Sequence, residues 1–144
     1  MIPKTELIYS YPYNALFNKE FNHIKLEELK IKFSKFEDLY NKYIKKILIF
    51  IEKFNEPWRK KYIPIYLTEK TKPISSPLTL RYEENEKYIL VVLIHELIHN
   101  NISKKFIDRN ALHTHISNIT KRVCSELDLD LSKEVKELEN RIFN

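Results

Sequence analysis

Apolar side chains between residues 26 and 54 recur every three or four positions, with Lys and Glu between them. This spacing is typical of one face of an α-helix, so it predicts a long amphipathic helix, or two helices in line, that packs on a core. The prolines from Pro57 onward end the helix near Asn55. The apolar positions are Leu26, Leu29, Phe33, Phe36, Tyr40, Tyr43, Ile47, Phe50 and Phe54.

Two later segments, residues 63–68 and 78–83, contain β-favouring residues in partial alternation. We predict that they form two strands of a small antiparallel hairpin, joined by the polar residues 69–76. Residues 72–75 can add a third strand. The sheet is therefore expected to have two or three strands.

Residues 88–98 are apolar on nearly every face, which predicts a buried helix. Asn85 can cap this helix, and its end is expected near Asn100. Asp108 or Asn110 can cap a further helix through about Leu127, and Ser132 can cap a last one. The pattern as a whole predicts an α+β fold in a single domain, residues 1–144, with a long N-terminal helix behind the buried one.

The buried helix ends in the pentapeptide His95-Glu96-Leu97-Ile98-His99. Residues i and i+4 lie on the same face of a helix, so both imidazoles can reach one zinc ion while Glu96 lies beside it. Two such His ligands, a third protein ligand and a water form an open, catalytic zinc site, in which the carboxylate accepts a proton from the water. We therefore predict one Zn²⁺ per chain, with His95 and His99 as ligands and Glu96 as the catalytic base.

The third zinc ligand is sought on the next helix, which carries His113 and His115. The buried stripe of that helix is defined by Leu112, Ile116, Ile119, Val123 and Leu127. His113 flanks the stripe on the side of small residues suited to close helix packing, whereas His115 lies on the more polar flank. Periodicity thus favours His113 and keeps His115 as the alternate ligand, or as a residue that orients a ligand.

Composition excludes several classes of function. The chain has no Gly, which excludes Gly-rich phosphate loops and disfavours a nucleotide partner. Its single cysteine, Cys124, excludes a disulfide framework, and neither a signal peptide nor a span of membrane length is visible. We expect a soluble, cytoplasmic protein.

The net charge of +5 raises the question of a nucleic-acid partner. Most Lys residues alternate with acidic ones, as on a solvated helix face, which disfavours that interpretation. Only residues 58–62, which include Trp58, Arg59 and Tyr62, combine basic and aromatic side chains as a polyanion contact does.

The motif on a buried helix, the preceding long helix and strands, and the downstream histidine together resemble the minigluzincins, a family of very small zinc metallopeptidases. The resemblance covers residues 63–127. It implies peptide-bond hydrolysis of a peptide or unfolded protein, with His95 and His99 as zinc ligands and Glu96 as general base and acid. It also implies latency, which in this family comes from C-terminal segments that block the cleft, in one case by helix exchange between two molecules.

Residues 128–144 are therefore the candidate latency segment, and a homodimer formed by exchange of the last helix is a possible assembly. An extended substrate is expected to pair with the strand at residues 78–82. Two other interpretations stay open. One is a zinc hydrolase acting on another substrate class, and the other is a basic helical binding module with structural zinc or none.

Overall fold

The computed structural model describes residues 1–9, 23–69 and 72–143. In chain order these residues form β1 (Lys4–Tyr9), α1 (His23–Lys32), α2 (Ser34–Phe54), β2 (Tyr62–Thr68), β3 (Ile74–Ser75), β4 (Leu78–Arg81), α3 (Glu86–Asn100), α4 (Arg109–Glu126) and α5 (Ser132–Phe143). The predicted α+β class is confirmed.

The long amphipathic stretch forms two helices in line, α1 and α2, which meet at Phe33. The amide of Phe33 donates to the carbonyl of Leu29 at 3.0 Å, and its carbonyl accepts from the amide of Glu37 at 2.8 Å, so hydrogen bonding continues across the junction. The face of α2 that points inward is largely the predicted stripe. Its buried residues are Phe36, Tyr40, Tyr43, Ile47, Leu48 and Ile51.

The sheet is mixed and has the strand order β1-β2-β4-β3. β1 pairs in parallel with β2, with Lys4 opposite Tyr62 and Tyr9 opposite Leu67. β1 was not predicted, because residues 4–9 show no strict alternation and lie far from the other strands in the sequence.

The predicted antiparallel hairpin between residues 63–68 and 78–83 is wrong, because β2 and β4 run parallel. The short strand expected within residues 72–75 is present as β3, and it pairs antiparallel with β4. The chain therefore reverses twice between β2 and β4, once before β3 and once after it. Two reversals restore the original direction, which is why β4 is parallel to β2.

Helix α3 lies at the centre of the molecule and contacts β3, β4, α2, α4 and α5. Every residue from Tyr88 to Ile98 is buried, as predicted. The side chain of Asn85 accepts hydrogen bonds from the amides of Lys87 and Tyr88 and so caps the helix, while Asp108 caps α4 in the same way. In the residues described, no helix is long and apolar enough to cross a bilayer.

Candidate metal centre

The first part of the site lies on the last two turns of α3. His95 and His99 stack one above the other, with ring centroids 4.8 Å apart, as their i, i+4 spacing requires. His95 is only 5% exposed because the surrounding helix is apolar on all sides. The packing of α3 therefore fixes where both imidazoles lie.

Helix α4 brings a third imidazole, that of His113, to the same place. The centroid of its ring lies 5.7 Å from that of His95 and 5.2 Å from that of His99. The three residues offer nitrogen atoms that all lie within 4.8 Å of one another, and they are close enough to hold a metal ion. Nitrogens around a tetrahedral zinc ion lie about 3.3 Å apart, so modest side-chain rotations are enough to close the group on an ion.

His115 lies outside this group. Its ring packs on that of Phe106, with centroids 5.0 Å apart, on the other flank of α4. Of the two candidates for a third ligand, the structure thus brings His113, the one that periodicity favours, into contact with His95 and His99.

All three clustered imidazoles are held in the neutral form. Burial, together with the neighbouring imidazoles, lowers the pKa of His95 to about 3. The pKa of His99 falls to about 4 through burial and then through the charges of His113 and Arg109. The pKa of His113 is also lowered, first by burial and then by Arg109. Because metals bind the neutral imidazole, these three side chains are ready to act as ligands at neutral pH.

The donor set contains an unpaired atom of the kind that a metal ion would satisfy. Within the described chain, Nδ1 of His113 is buried and has no hydrogen-bond partner. A buried ring nitrogen without a partner is costly, and coordination to a metal removes that cost. The cluster therefore fits a metal ion both in its geometry and in its chemistry.

Glu96 lies beside the cluster and is not one of the grouped ligands. Its Oε1 is 3.9 Å from Nε2 of His95, and only 9% of the residue is exposed. Burial raises the pKa of this carboxyl to about 7, because no compensating charge offsets the loss of water. A nearby divalent cation favours the charged carboxylate and reverses this shift.

Two clefts open on the cluster. The first has a volume of about 450 Å³ and contains His95 and Glu96, with walls from α5 and from the sheet. The second has a volume of about 360 Å³ and contains His99, with walls from the segment between α3 and α4. Arg109 lines both clefts, and His95 and His99 line one cleft each, so the clefts lie on either side of these two histidines.

Helix α5 covers one side of the first cleft with Leu138, Arg141 and Ile142. Arg141 donates from Nη1 to Glu83 at 2.5 Å and lies over the ring of Tyr88. At the other end of the helix, Asn85 donates from Nδ2 to the buried carboxylate of Glu134 at 3.0 Å. The last helix is thus fastened at both ends against the region where α3 begins.

Sequence reasoning did not single out the arginines of this site, Arg81, Arg109 and Arg141. A lone Arg within a helix or strand carries no spacing signal. Arg109 directly follows the predicted cap Asp108. Its position in the helix could therefore be predicted, but the clefts that it lines could not.

No protein-family model, no curated protein and no solved structure matches this chain.

We expect His113→Ala to weaken zinc binding by more than the 10- to 100-fold that outer-shell changes typically cause, because a member of the ligand group is lost. His115→Ala, two residues away on the same helix, should leave the affinity nearly unchanged. Competition with a chromophoric chelator near neutral pH measures both. Equal losses in the two variants would contradict the assignment of His113.

A second prediction concerns the pH dependence of stability in metal-free protein. The raised pKa of Glu96 gives a stability contribution that is present below pH 4.5 and is lost as the pH rises through about 7. At about pH 8 the folded chain must hold a buried charge at a cost of about 3 kcal/mol, which Glu96→Gln avoids.

The free energy of unfolding of the chelator-treated Gln variant should therefore exceed that of the parent at about pH 8 and equal it near pH 4.5. Shifts of the histidine pKa values are common to both proteins and cancel in the difference. Denaturant titration at the two pH values measures it. If the Glu96→Gln protein is less stable than the parent by the same amount at both pH values, this explanation of the Glu96 pKa is refuted.

Proposed function

We propose that this chain is a zinc-dependent peptidase in which His95, His99 and His113 hold one zinc ion. The observation that supports the proposal best is the convergence of three neutral imidazoles from two helices beside a buried carboxyl that is not one of them. When bound there, zinc acidifies a coordinated water and polarises the carbonyl oxygen of the substrate.

Glu96 is the proton carrier in the proposed reaction. Its carboxylate takes a proton from the attacking water, the new carbon–oxygen bond forms, and the same proton passes to the amide nitrogen as the carbon–nitrogen bond breaks. The second proton of the water passes from the new carboxylic acid to the amine, so the products are a carboxylate and an ammonium ion, and atoms and charges balance. The apolar surroundings of Glu96 keep bulk water away from the carboxyl and raise its affinity for the proton.

The shape of the site favours an extended polymer over a small molecule. The two clefts lie on either side of the histidines, so a chain that passes from one to the other crosses the cluster at its middle. At Leu78 and Thr79 the outer edge of the sheet belongs to β3, because these two residues of β4 pair with Ser75 and Ile74. We therefore propose that the main chain of the substrate pairs with Ile74–Ser75 in β3, and not with residues 78–82 as the sequence predicted.

The ligand count argues against structural zinc. Structural sites are closed by four protein ligands, whereas the group found in the described chain has three. Cys124 lies instead by a separate cavity of about 540 Å³ between α4 and α5, and burial raises the pKa of its thiol to about 12. It does not belong to the group of residues that could hold a metal ion.

The basic and aromatic patch at residues 58–62 has a structural role. The indole of Trp58 donates to the carbonyl of Leu48 at 2.9 Å, which fastens the segment after α2 to that helix. This contact accounts for the indole without a ligand, so the patch gives little support to a polyanion-binding module.

We further propose that the peptidase is latent and that α5 is the blocking segment. It walls the first cleft, and the ring of Phe143 lies 6.5 Å from that of His113. Here α5 packs on α3 and α4 of its own chain. Exchange of this helix between two chains would use the same contacts and remains a proposal for a dimer.

The test of the chemistry is Glu96→Gln in zinc-loaded protein. We expect hydrolysis of an unfolded protein to fall by about 100-fold or more, the range for loss of a general base, while one equivalent of zinc stays bound. Glu126→Gln, on the exposed side of α4, is the matched control and should retain activity. Activity of the Glu96 variant within tenfold of the parent would rule out the role.

Latency is tested by loosening α5. Removal of the residues after Leu127, or Arg141→Ala in the full chain, should raise peptidase activity, because the cleft loses a wall or the contact that fastens it. Lys133→Ala, at an exposed position at the start of α5, is the control. Circular dichroism and zinc content show that each variant is folded and loaded. Loaded variants no more active than the parent would refute latency.

A further inference from the structure

The cationic side chains that line the first cleft outnumber the carboxyl groups that line it. Four cationic side chains line it, those of Lys72, Arg81, Arg109 and Arg141, against the two carboxyl groups of Glu83 and Glu96.

Glu83 is already shared between two of these cations. It accepts from Arg141 at 2.5 Å and lies 3.8 Å from Arg81. Among the residues described, Glu96 forms no ion pair with any of the four cations. The remaining cations, Lys72 and Arg109, form no ion pair with any carboxylate among the residues described.

Of these two cations, Arg109 is the better placed to contact a ligand in the clefts. It is the first residue of α4, it is exposed, and it lines both the cleft that contains His95 and the cleft that contains His99. It therefore lies within reach of a ligand in either cleft. The nearest carboxylate in the sequence, that of Asp108, accepts from the amide of Ala111 at 2.8 Å as the helix cap.

An unpaired guanidinium at the mouth of a cleft is suited to one kind of group above others. Its planar fork of N–H donors matches a carboxylate, which it can bind through two parallel hydrogen bonds. Lys72 adds a second positive charge from the segment that leads into β3. Both residues belong to parts of the cleft other than α5, so they stay in place if that helix moves away.

We propose that the cleft selects peptides that carry a carboxylate close to the scissile bond, and that Arg109 is the residue that binds it. This inference rests on the proposed peptidase function and adds the substrate class. The carboxylate is supplied either by an acidic side chain or by the free C-terminus of the peptide. Both sources present the same planar anion, and the experiment distinguishes them.

The test uses the full chain with Glu96→Gln and Arg141→Ala, loaded with zinc, so that α5 is loosened and peptides bind without being cleaved. The probes are short fluorescent peptides in four matched forms: one Asp or Asn at a central position, each with a free or an amidated C-terminus. Fluorescence anisotropy gives the dissociation constants. We expect at least one carboxylate to tighten binding by about tenfold over the peptide that lacks both, less so at high salt.

Arg109→Gln in the same background should remove most of that difference, whereas Arg59→Gln, an exposed Arg outside both clefts, should keep it. If the Asp peptides are preferred, the source is a side chain; if the free C-termini are preferred, it is the chain end. Equal affinity for all four peptides, or binding of none more tightly than about 1 mM, overturns the inference.

Hydrolysis by the chain with Glu96 intact is measured on the same peptides, and it separates this inference from the proposed function. Cleavage without any preference for carboxylates overturns the recognition by Arg109 and supports the peptidase. Carboxylate-selective binding that depends on Arg109, with no cleavage by zinc-loaded protein whose α5 has been loosened through Arg141→Ala, supports the recognition and overturns the peptidase.

Discussion

The burial of His95 and Glu96 near the end of an otherwise apolar helix is the constraint on which this structure depends. His95 and Glu96 lie on α3 among residues that are nearly all inaccessible to water. Desolvation acts on both in opposite directions, lowering the pKa of the imidazole to about 3 and raising that of the carboxyl to about 7. The fold accepts this cost because α3 is the element on which the sheet and three other helices pack.

Asparagine side chains hold both ends of that helix. Asn85 caps its first turn and also donates to Glu134 of α5. At the far end, Asn100 donates to the carbonyl of Ser75 in β3, and Asn101 donates to the carbonyl of Glu56. An amide side chain can donate and accept together, so each of these residues can join α3 to another segment. A site built on a helix tied in this way keeps its geometry better than one built on loops.

Hydrophobic periodicity predicted the helices and the inward face of α4, because burial of a stripe is decided locally every three or four residues. It did not predict strand direction. Alternation shows which face of a strand is buried, yet β2 buries Ile63, Ile65 and Leu67 whether its neighbour is parallel or antiparallel. The direction followed from the number of chain reversals, which depended on β3, a strand of only two residues. The motif residues were found through their spacing, whereas Arg109 has no such signal and was found only through the clefts that it lines.

The electrostatics of the site suggest why three histidines and a carboxyl are found together at the edge of the apolar core. Three imidazoles whose pKa values are lowered by burial, and one carboxyl whose pKa is raised by burial, form a group with electron pairs to donate and almost no charge of its own. A divalent cation offsets the desolvation cost of all four groups at once, since it binds the nitrogens and stabilises the carboxylate. An added positive charge in turn attracts anions, and Arg109 already provides one in the lining of both clefts. Metal binding and carboxylate recognition are therefore expected to strengthen each other at this site.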